Sequence, residues 1–163
     1  MKTINFTVNG SLCAVSCPPA KTLLDVLRED LKLTASKECC GKGECGSCSI
    51  LLNGEVVCSC LILAGQVENQ EIVTCEGVGL TANMEVIQES FVVEGATQCG
   101  YCTPGIIVSA RAFLNRIDYV PTADQIKTAL GGNLCRCTGY TKIIKAIQTA
   151  AEQEKKITGN VTT

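Results

Sequence analysis

Cys39-Cys40-Gly41-Lys42-Gly43-Glu44-Cys45-Gly46-Ser47-Cys48 gathers four cysteines and three glycines into ten consecutive residues. Cys40-x4-Cys45-x2-Cys48 is the spacing of three ligands in a plant-type [2Fe-2S] loop, whose fourth cysteine comes from further along the chain. Thiolates suit iron bound to sulfide because such iron prefers soft, anionic ligands. The glycines fit the same reading. A loop wrapped round a cluster needs left-handed backbone and close approach, and its N–H groups can then point at the sulfurs. The fourth ligand is sought beyond the next hairpin, where both Cys58 and Cys60 stand. Spacing does not choose between those two, nor fully between Cys39 and Cys40. The competing reading is a structural zinc ion, although zinc sites more often show paired C-x2-C knuckles.

Outward from this loop, the first half reads as a small sheet with one helix. Ile4, Phe6 and Val8 alternate with polar residues, Asn9-Gly10 is a two-residue hairpin turn, and Cys13, Val15 and Cys17 alternate on the return. Thr22 is placed to cap a helix with Leu23, Leu24, Leu27 and Leu31 on one side. A second hairpin runs Ser49–Leu52, Asn53-Gly54, Glu55–Val57, and Glu71–Thr74 is a short last strand. The second half reads as helices. Asn83 would cap one bearing Val86, Ile87 and Phe91, and Thr103-Pro104 would open another. Thr122-Ala123-Asp124-Gln125 is a capping box for a third, ending at Gly131-Gly132, and Thr138 or Thr141 starts the last. The fold class expected is α+β: a sheet domain over residues 1–77, a four-helix bundle over 78–155, and a polar flexible tail over 156–163.

A second set of cysteines lies in the helical half. Gln98-Cys99-Gly100-Tyr101-Cys102-Thr103-Pro104 supplies a C-x2-C, and Gly132-Asn133-Leu134-Cys135-Arg136-Cys137-Thr138-Gly139-Tyr140 supplies a C-x-C. Four thiolates in two pairs satisfy zinc or an iron–sulfur cluster equally well on spacing. Cys102 and Cys137 each precede an expected helix start, so two positive helix ends would face the bound group.

Composition limits the alternatives. The chain has 163 residues, 46% apolar and 18% charged, with a net charge of −2 and only 14 Lys plus Arg. Three Phe, three Tyr and no Trp leave no stacking platform, so nucleic acid is not an expected partner. No apolar run approaches ~18 residues, so a membrane is not expected either. There is no histidine, which removes Ser-His and Cys-His nucleophiles, Rieske clusters and most catalytic zinc sites. Thirteen cysteines cannot pair completely, and Met1–Val8 alternates where a secretion signal would be continuously apolar. The expectation is a soluble cytoplasmic protein whose cysteines bind metal.

With both constellations in view, the chain resembles the small iron–sulfur subunit of the molybdenum hydroxylases, the family of xanthine dehydrogenase, aldehyde oxidoreductase and carbon monoxide dehydrogenase. The resemblance runs from Thr3 to about Ala151 and rests on Leu27-Arg28-Glu29, Gly43–Cys48, Gln98–Gly105 and Gly132–Tyr140. It implies a ferredoxin-like β-grasp domain followed by the helical domain, each holding one [2Fe-2S] cluster. Cys40, Cys45, Cys48 and Cys60 match the first cluster's ligands; Cys99, Cys102, Cys135 and Cys137 match the second's. Cys39 falls where relatives often have Gly, and Cys58 where a non-ligand polar residue is usual. Gln98 and Cys137 match positions that approach the pterin of a molybdopterin cofactor on a large partner subunit. The resemblance further implies a medium subunit carrying FAD, and an electron-relay role in a complex of xanthine dehydrogenase type, with no catalytic residue on this chain. Cys13, Cys17, Cys39, Cys58 and Cys75 then read as small buried hydrophobes. The alternative function is a free-standing ferredoxin-like carrier or redox sensor with a zinc-stabilised helical domain.

Overall fold

Two Asn-Gly turns and strict alternation build the first domain. The structure, a computed structural model, describes residues 1–78 and 82–159, with side chains described except at 82–85 and 158–159. Strand β1 (Lys2–Val8) pairs antiparallel with β2 (Ser11–Cys17), and the turn between them places Asn9 at φ 50° and Gly10 at φ 78°. Both central residues are left-handed, as the twist of a tight hairpin requires. Ile4, Phe6, Val8, Val15 and Cys17 all face inward. Helix α1 (Leu23–Asp25) follows, capped by Thr22 Oγ1, which accepts from the Asp25 N–H at 3.1 Å, and it continues as one widened π-type turn over Val26–Asp30. Leu23, Val26 and Leu27 lay its apolar side on the sheet. Arg28 turns the other way and donates to the carbonyls of Thr34 and Ser36 at 3.0 and 2.7 Å, tying down the chain that enters the cysteine loop.

After the loop come β3 (Ser49–Leu52) and β4 (Glu55–Cys58), joined by Asn53-Gly54 at φ 51° and 83°. Two short 3-10 turns, Ser59–Leu61 and Ala64–Gln66, lead to β5 (Glu71–Val73). The sheet order is β2-β1-β5-β3-β4, with β1 and β5 parallel and the other neighbours antiparallel. One helix on a mixed five-stranded sheet is the β-grasp arrangement anticipated.

The helical domain comprises α2 (Cys75–Val78), α3 (Ala82–Val93), α4 (Thr103–Leu114), α5 (Ala123–Ala129) and α6 (Thr141–Gly159). The Thr122/Gln125 capping box forms as read, each side chain accepting from the other residue's N–H. Two starts and one end differ from expectation. Helix α3 is described from Ala82, so the backbone of Asn83 lies inside it, and its side chain is outside the described set. In α4, Cys102 takes the cap position and Thr103 is already helical. Helix α6 starts at Thr141 and runs on through Lys156 to Gly159, past the point where a tail was expected.

The two domains share a strand. On β3, Ile50 points into the core of the sheet domain, while Leu51 points the opposite way into the helical core with Ile87, Ile106 and Ile147. Period-two geometry lets one strand serve both layers. Because β3 begins directly after Cys48, this double burial fixes the cysteine loop against α4.

Candidate metal centres

The first thiol group is built by the loop between α1 and β3 and by the end of β4. Gly41, Gly43 and Gly46 adopt φ of 62°, 74° and 69°. At Gly46 the requirement is spatial as well, since a Cβ there would lie 2.4 Å from the Gly132 carbonyl oxygen and 2.5 Å from Asn133 Nδ2. The N–H groups of Lys42 and Glu44 both donate to Cys40 Sγ at 3.4 Å. These two donors, with Cys45 adding to them, bring the Cys40 thiol down to about 6, ready to serve as a thiolate. Cys39 and Cys40 both touch Cys45. On the other side, Ser59 donates from its N–H and its Oγ to the Cys48 carbonyl at 3.3 and 2.8 Å. That anchor leaves Cys58 and Cys60 both against Cys48, and burial first, then Cys48, pushes their thiols up to about 11 and about 12. Cys58 Sγ donates to the Gly43 carbonyl at 3.8 Å.

The second group is built by the loops preceding α4 and α6. Cys137 Sγ lies 3.6 Å from Cys99 Sγ, and Cys102 touches Cys135. Burial, then Cys135, pushes the Cys102 thiol up to about 12. Burial opposes ionisation of Cys135 too, but Thr138 outweighs it, approaching Cys135 Sγ with its N–H at 3.4 Å and its Oγ1 at 3.1 Å, and the thiol falls below its ordinary value. Tyr140 locks this loop: its hydroxyl accepts from the Cys135 N–H at 2.7 Å and donates to the Asn133 carbonyl at 2.9 Å. Gly139 and Tyr140 are both left-handed, at φ 63° and 66°, which postpones α6 to Thr141. Cys137 is therefore separated from that helix, and one helix start rather than two abuts this centre, through Cys102. Gln98, Cys99 and Cys137 are exposed, beside Tyr101 and Leu134.

Among the described residues, no three Cys, Asp or Glu converge as they would on a single ion; at the second centre the sulfurs meet two by two, Cys99 with Cys137 and Cys102 with Cys135. Pairs of thiolates, one pair to each iron, are what a [2Fe-2S] cluster takes up, so the donor set fits it.

The two centres are joined by hydrogen bonds to main-chain carbonyls. The Leu134 N–H donates to the Cys45 carbonyl at 2.9 Å. Asn133 Nδ2 donates to the Gly46 carbonyl at 3.0 Å and to Ser49 Oγ at 3.3 Å. The Tyr101 hydroxyl donates to the Glu38 carbonyl. None of these roles follows from cysteine spacing, although Asn133, Leu134, Tyr101 and Tyr140 all lie inside the two quoted motifs.

Two family models match: "2Fe-2S iron-sulfur cluster binding domain" over residues 6–78 and "[2Fe-2S] binding domain" over residues 74–148. The chain is 47% identical over 151 residues to the nicotinate dehydrogenase small FeS subunit of Eubacterium barkeri, covering 93% of this chain and 96% of that one. It is 40% identical to the xanthine dehydrogenase iron-sulfur-binding subunit of Escherichia coli O157:H7, over 89% of this chain and 91% of that one. The chain belongs to the small [2Fe-2S] subunits of the molybdenum hydroxylases. The subunit also superposes on quinoline 2-oxidoreductase from Pseudomonas putida 86 with a TM-score of 0.88 and 40% identity, covering 95% of this chain and 96% of that one. On the aldehyde oxidoreductase from Desulfovibrio desulfuricans ATCC 27774 the TM-score is 0.89 at 38% identity, over 96% of this chain but 17% of that much longer one.

Membership settles the cofactor class at both centres as [2Fe-2S] and sets aside the zinc-stabilised carrier. The subunit is the electron-transfer part of a multi-subunit molybdenum-dependent oxidoreductase and works with larger partner subunits. Among the described residues no helix is long and apolar enough to cross a membrane. Of the five remaining thiols, Cys17 is buried in the sheet core and Cys75 packs against the helical core, where burial, then Glu76, pushes it up to about 11 despite Gln88. Cys13 is half-buried. Cys39 and Cys58 depart from the buried-hydrophobe reading: Cys39 is exposed, and Cys58 is half-buried beside the first centre.

Proposed function

We propose that Cys40, Cys45, Cys48 and Cys60 hold one [2Fe-2S] cluster, that Cys99, Cys102, Cys135 and Cys137 hold the other, and that the subunit relays electrons inward from the second centre to the first. The observation that carries this is the Leu134 N–H to Cys45 carbonyl hydrogen bond at 2.9 Å, which joins a residue next to Cys135 directly to Cys45. Bound clusters supply reversible one-electron chemistry; the chain's part is to hold them apart at a set distance and to tune them with N–H donors. Cys137 and Gln98 lie on the exposed side of the second centre, which fits contact with the pterin of a molybdopterin cofactor on the large partner. A medium partner carrying FAD would then accept electrons leaving the first centre, although either direction of flow uses the same route. A thiol-rich, disulfide-free chain fits a reducing cytoplasm.

For the substrate we propose an aromatic N-heterocycle. The expected xanthine type is one member of this class, and the relatives favour no narrower choice: two nicotinate dehydrogenase subunits match at 47% and 42%, the xanthine dehydrogenase subunit at 40%. The test is reduction of the purified complex followed by EPR and metal analysis. Two distinct [2Fe-2S] signals and about four iron atoms per subunit are expected; about two iron atoms, or stoichiometric zinc, overturns the ligand assignment. In Cys137→Ser, substrate should no longer reduce the first centre at the parent rate. Unchanged reduction would remove the second centre from the route.

A further inference from the structure

The first centre gathers more thiols than a cluster uses. Cys39 and Cys40 each neighbour Cys45 on one side, and Cys58 and Cys60 each neighbour Cys48 on the other. The second centre shows no such surplus among the described residues, since only Cys99, Cys102, Cys135 and Cys137 meet there. We propose that Cys58 is a reserve ligand of the first cluster, placed to take over the iron position of Cys60 when that sulfur is lost. The proposal rests on the assignment of Cys60 as the resident ligand.

Three features place it. Ser59 is fully buried and donates twice to the Cys48 carbonyl, so the residues on either side of it are held beside Cys48 together. Cys58 Sγ reaches the glycine-rich loop itself, donating at 3.8 Å to the carbonyl of Gly43, which lies between Cys40 and Cys45 in the chain. Finally, Cys58 borders a cavity of about 360 Å³ between the domains, lined also by Gly43, Ser109, Phe113 and Asn133. This gives its side chain room to rotate and its proton a way out. Cys58 is also tied at its backbone, since it pairs with Ser49 at the end of the β3–β4 ladder, so the exchange needs a side-chain rotation rather than a new loop path.

The exchange is a ligand substitution. With Cys60 absent, the Cys58 S–H bond breaks, its proton passes to solvent, and one iron–sulfur bond forms to the Cys58 thiolate. No iron changes oxidation state. The first centre thus tolerates loss of Cys60 in a way that the second centre does not tolerate loss of Cys102.

The experiment compares Cys60→Ala, Cys58→Ala, the double variant and Cys102→Ala in the intact complex, by iron content and by EPR of the reduced protein. Cys60→Ala should keep about four iron atoms per subunit with a shifted first-centre signal, and the double variant and Cys102→Ala should each fall to about two. Cys60→Ala with about two iron atoms and an intact second-centre signal overturns the proposal. An unshifted first-centre signal in Cys60→Ala, with that signal lost in Cys58→Ala, instead overturns the ligand assignment beneath it. Should Cys60→Ala not assemble, Cys60→Ser is compared with Cys58→Ala/Cys60→Ser. All-thiolate visible bands in the first, changed in the second, support the exchange, and identical spectra overturn it.

Discussion

Replacing Gly105 by alanine isolates the contact between the two cysteine loops. Gly105 lies in the first turn of α4, and a Cβ there would sit 2.2 Å from the Gly46 carbonyl oxygen and 3.3 Å from the carbonyl carbons of Gly46 and Ser47. All three are backbone atoms of the first cysteine loop, so no rotamer change relieves the clash, and loop and helix must separate by roughly 1 Å to restore ordinary contact. Helix propensity argues the opposite way: alanine in place of a helical glycine gains ~1 kcal/mol. The clash outweighs it. Overpacking costs ~1–3 kcal/mol. The same movement stretches the hydrogen bonds from Asn133 Nδ2 to the Gly46 carbonyl and from the Leu134 N–H to the Cys45 carbonyl, 3.0 and 2.9 Å long, each worth ~0.5–1.5 kcal/mol. The net expectation is a loss of about 3 kcal/mol, which for a chain of this size lowers the melting temperature by roughly 6–12 °C. The assay is thermal denaturation of the purified complex at one scan rate, followed by visible cluster absorption. Gly132→Ala is the control, because a Cβ at Gly132 meets nothing within 4 Å. A Gly105→Ala complex that melts at or above the parent temperature would refute the reasoning.

Three further outcomes follow from the same geometry. Cys40→Ser should abolish the first-centre EPR signal and halve the iron content, whereas Cys39→Ser, at an exposed thiol, should leave both as they are; the reverse pattern would exchange their roles. Tyr140→Phe removes the hydroxyl that satisfies the Cys135 N–H and the Asn133 carbonyl, at a cost of ~1–3 kcal/mol. Its effect should appear as earlier loss of the second-centre signal on heating, and equal persistence in the variant would count against that role. After iron removal by chelation, alkylation at pH 7 should reach Cys40 before Cys102. The Cys40 thiol is held at about 6 by the Lys42 and Glu44 N–H groups and is mostly thiolate at that pH, while burial keeps Cys102 at about 12 and protonated. Mass spectrometry reads the order, and simultaneous labelling would contradict it.

The parts of this fold written in side-chain chemistry were legible in the sequence. The ten-residue cysteine loop, the Asn9-Gly10 and Asn53-Gly54 hairpins, the Thr22 cap and the Thr122/Gln125 box each depend on a residue type at a fixed offset, and each forms as read. The parts written in backbone contact were not. Glycine at 105 is open to many explanations until Gly46 O is seen against it. The alternation of β3 could not say that Leu51 faces a second domain rather than solvent. That Cys58 Sγ reaches the Gly43 carbonyl depends on the path of the loop, which spacing does not encode. Helix α6 starts after Tyr140 rather than after Cys137 because a non-glycine residue takes a left-handed conformation there, held by its hydroxyl. That Cys39 is exposed and Cys58 only half-buried, beside the Gly43 carbonyl, is not something cysteine's hydrophobic character reveals.

Much of what couples the centres is main chain: the Cys45 and Gly46 carbonyls, the Glu38 carbonyl and the Leu134 N–H. Peptide groups cannot be lengthened or shortened by substitution, so the distance between the two sets of thiols is set by covalent geometry and by the hydrogen bonds from the Leu134 N–H, Asn133 Nδ2 and the Tyr101 hydroxyl. Tunnelling between redox centres depends steeply on distance, and an interface of flexible side chains would let that distance drift as the sequence changed. Here the contact is vulnerable at Gly46 and Gly105, where any Cβ enters the partner loop. Double burial of β3 supports the same end. Ile50 and Leu51 commit one strand to both cores immediately after Cys48, so a hinge between the domains would have to break a core rather than bend a linker. The spacing of the two cysteine loops is therefore rigid because the two domains fold around a common strand.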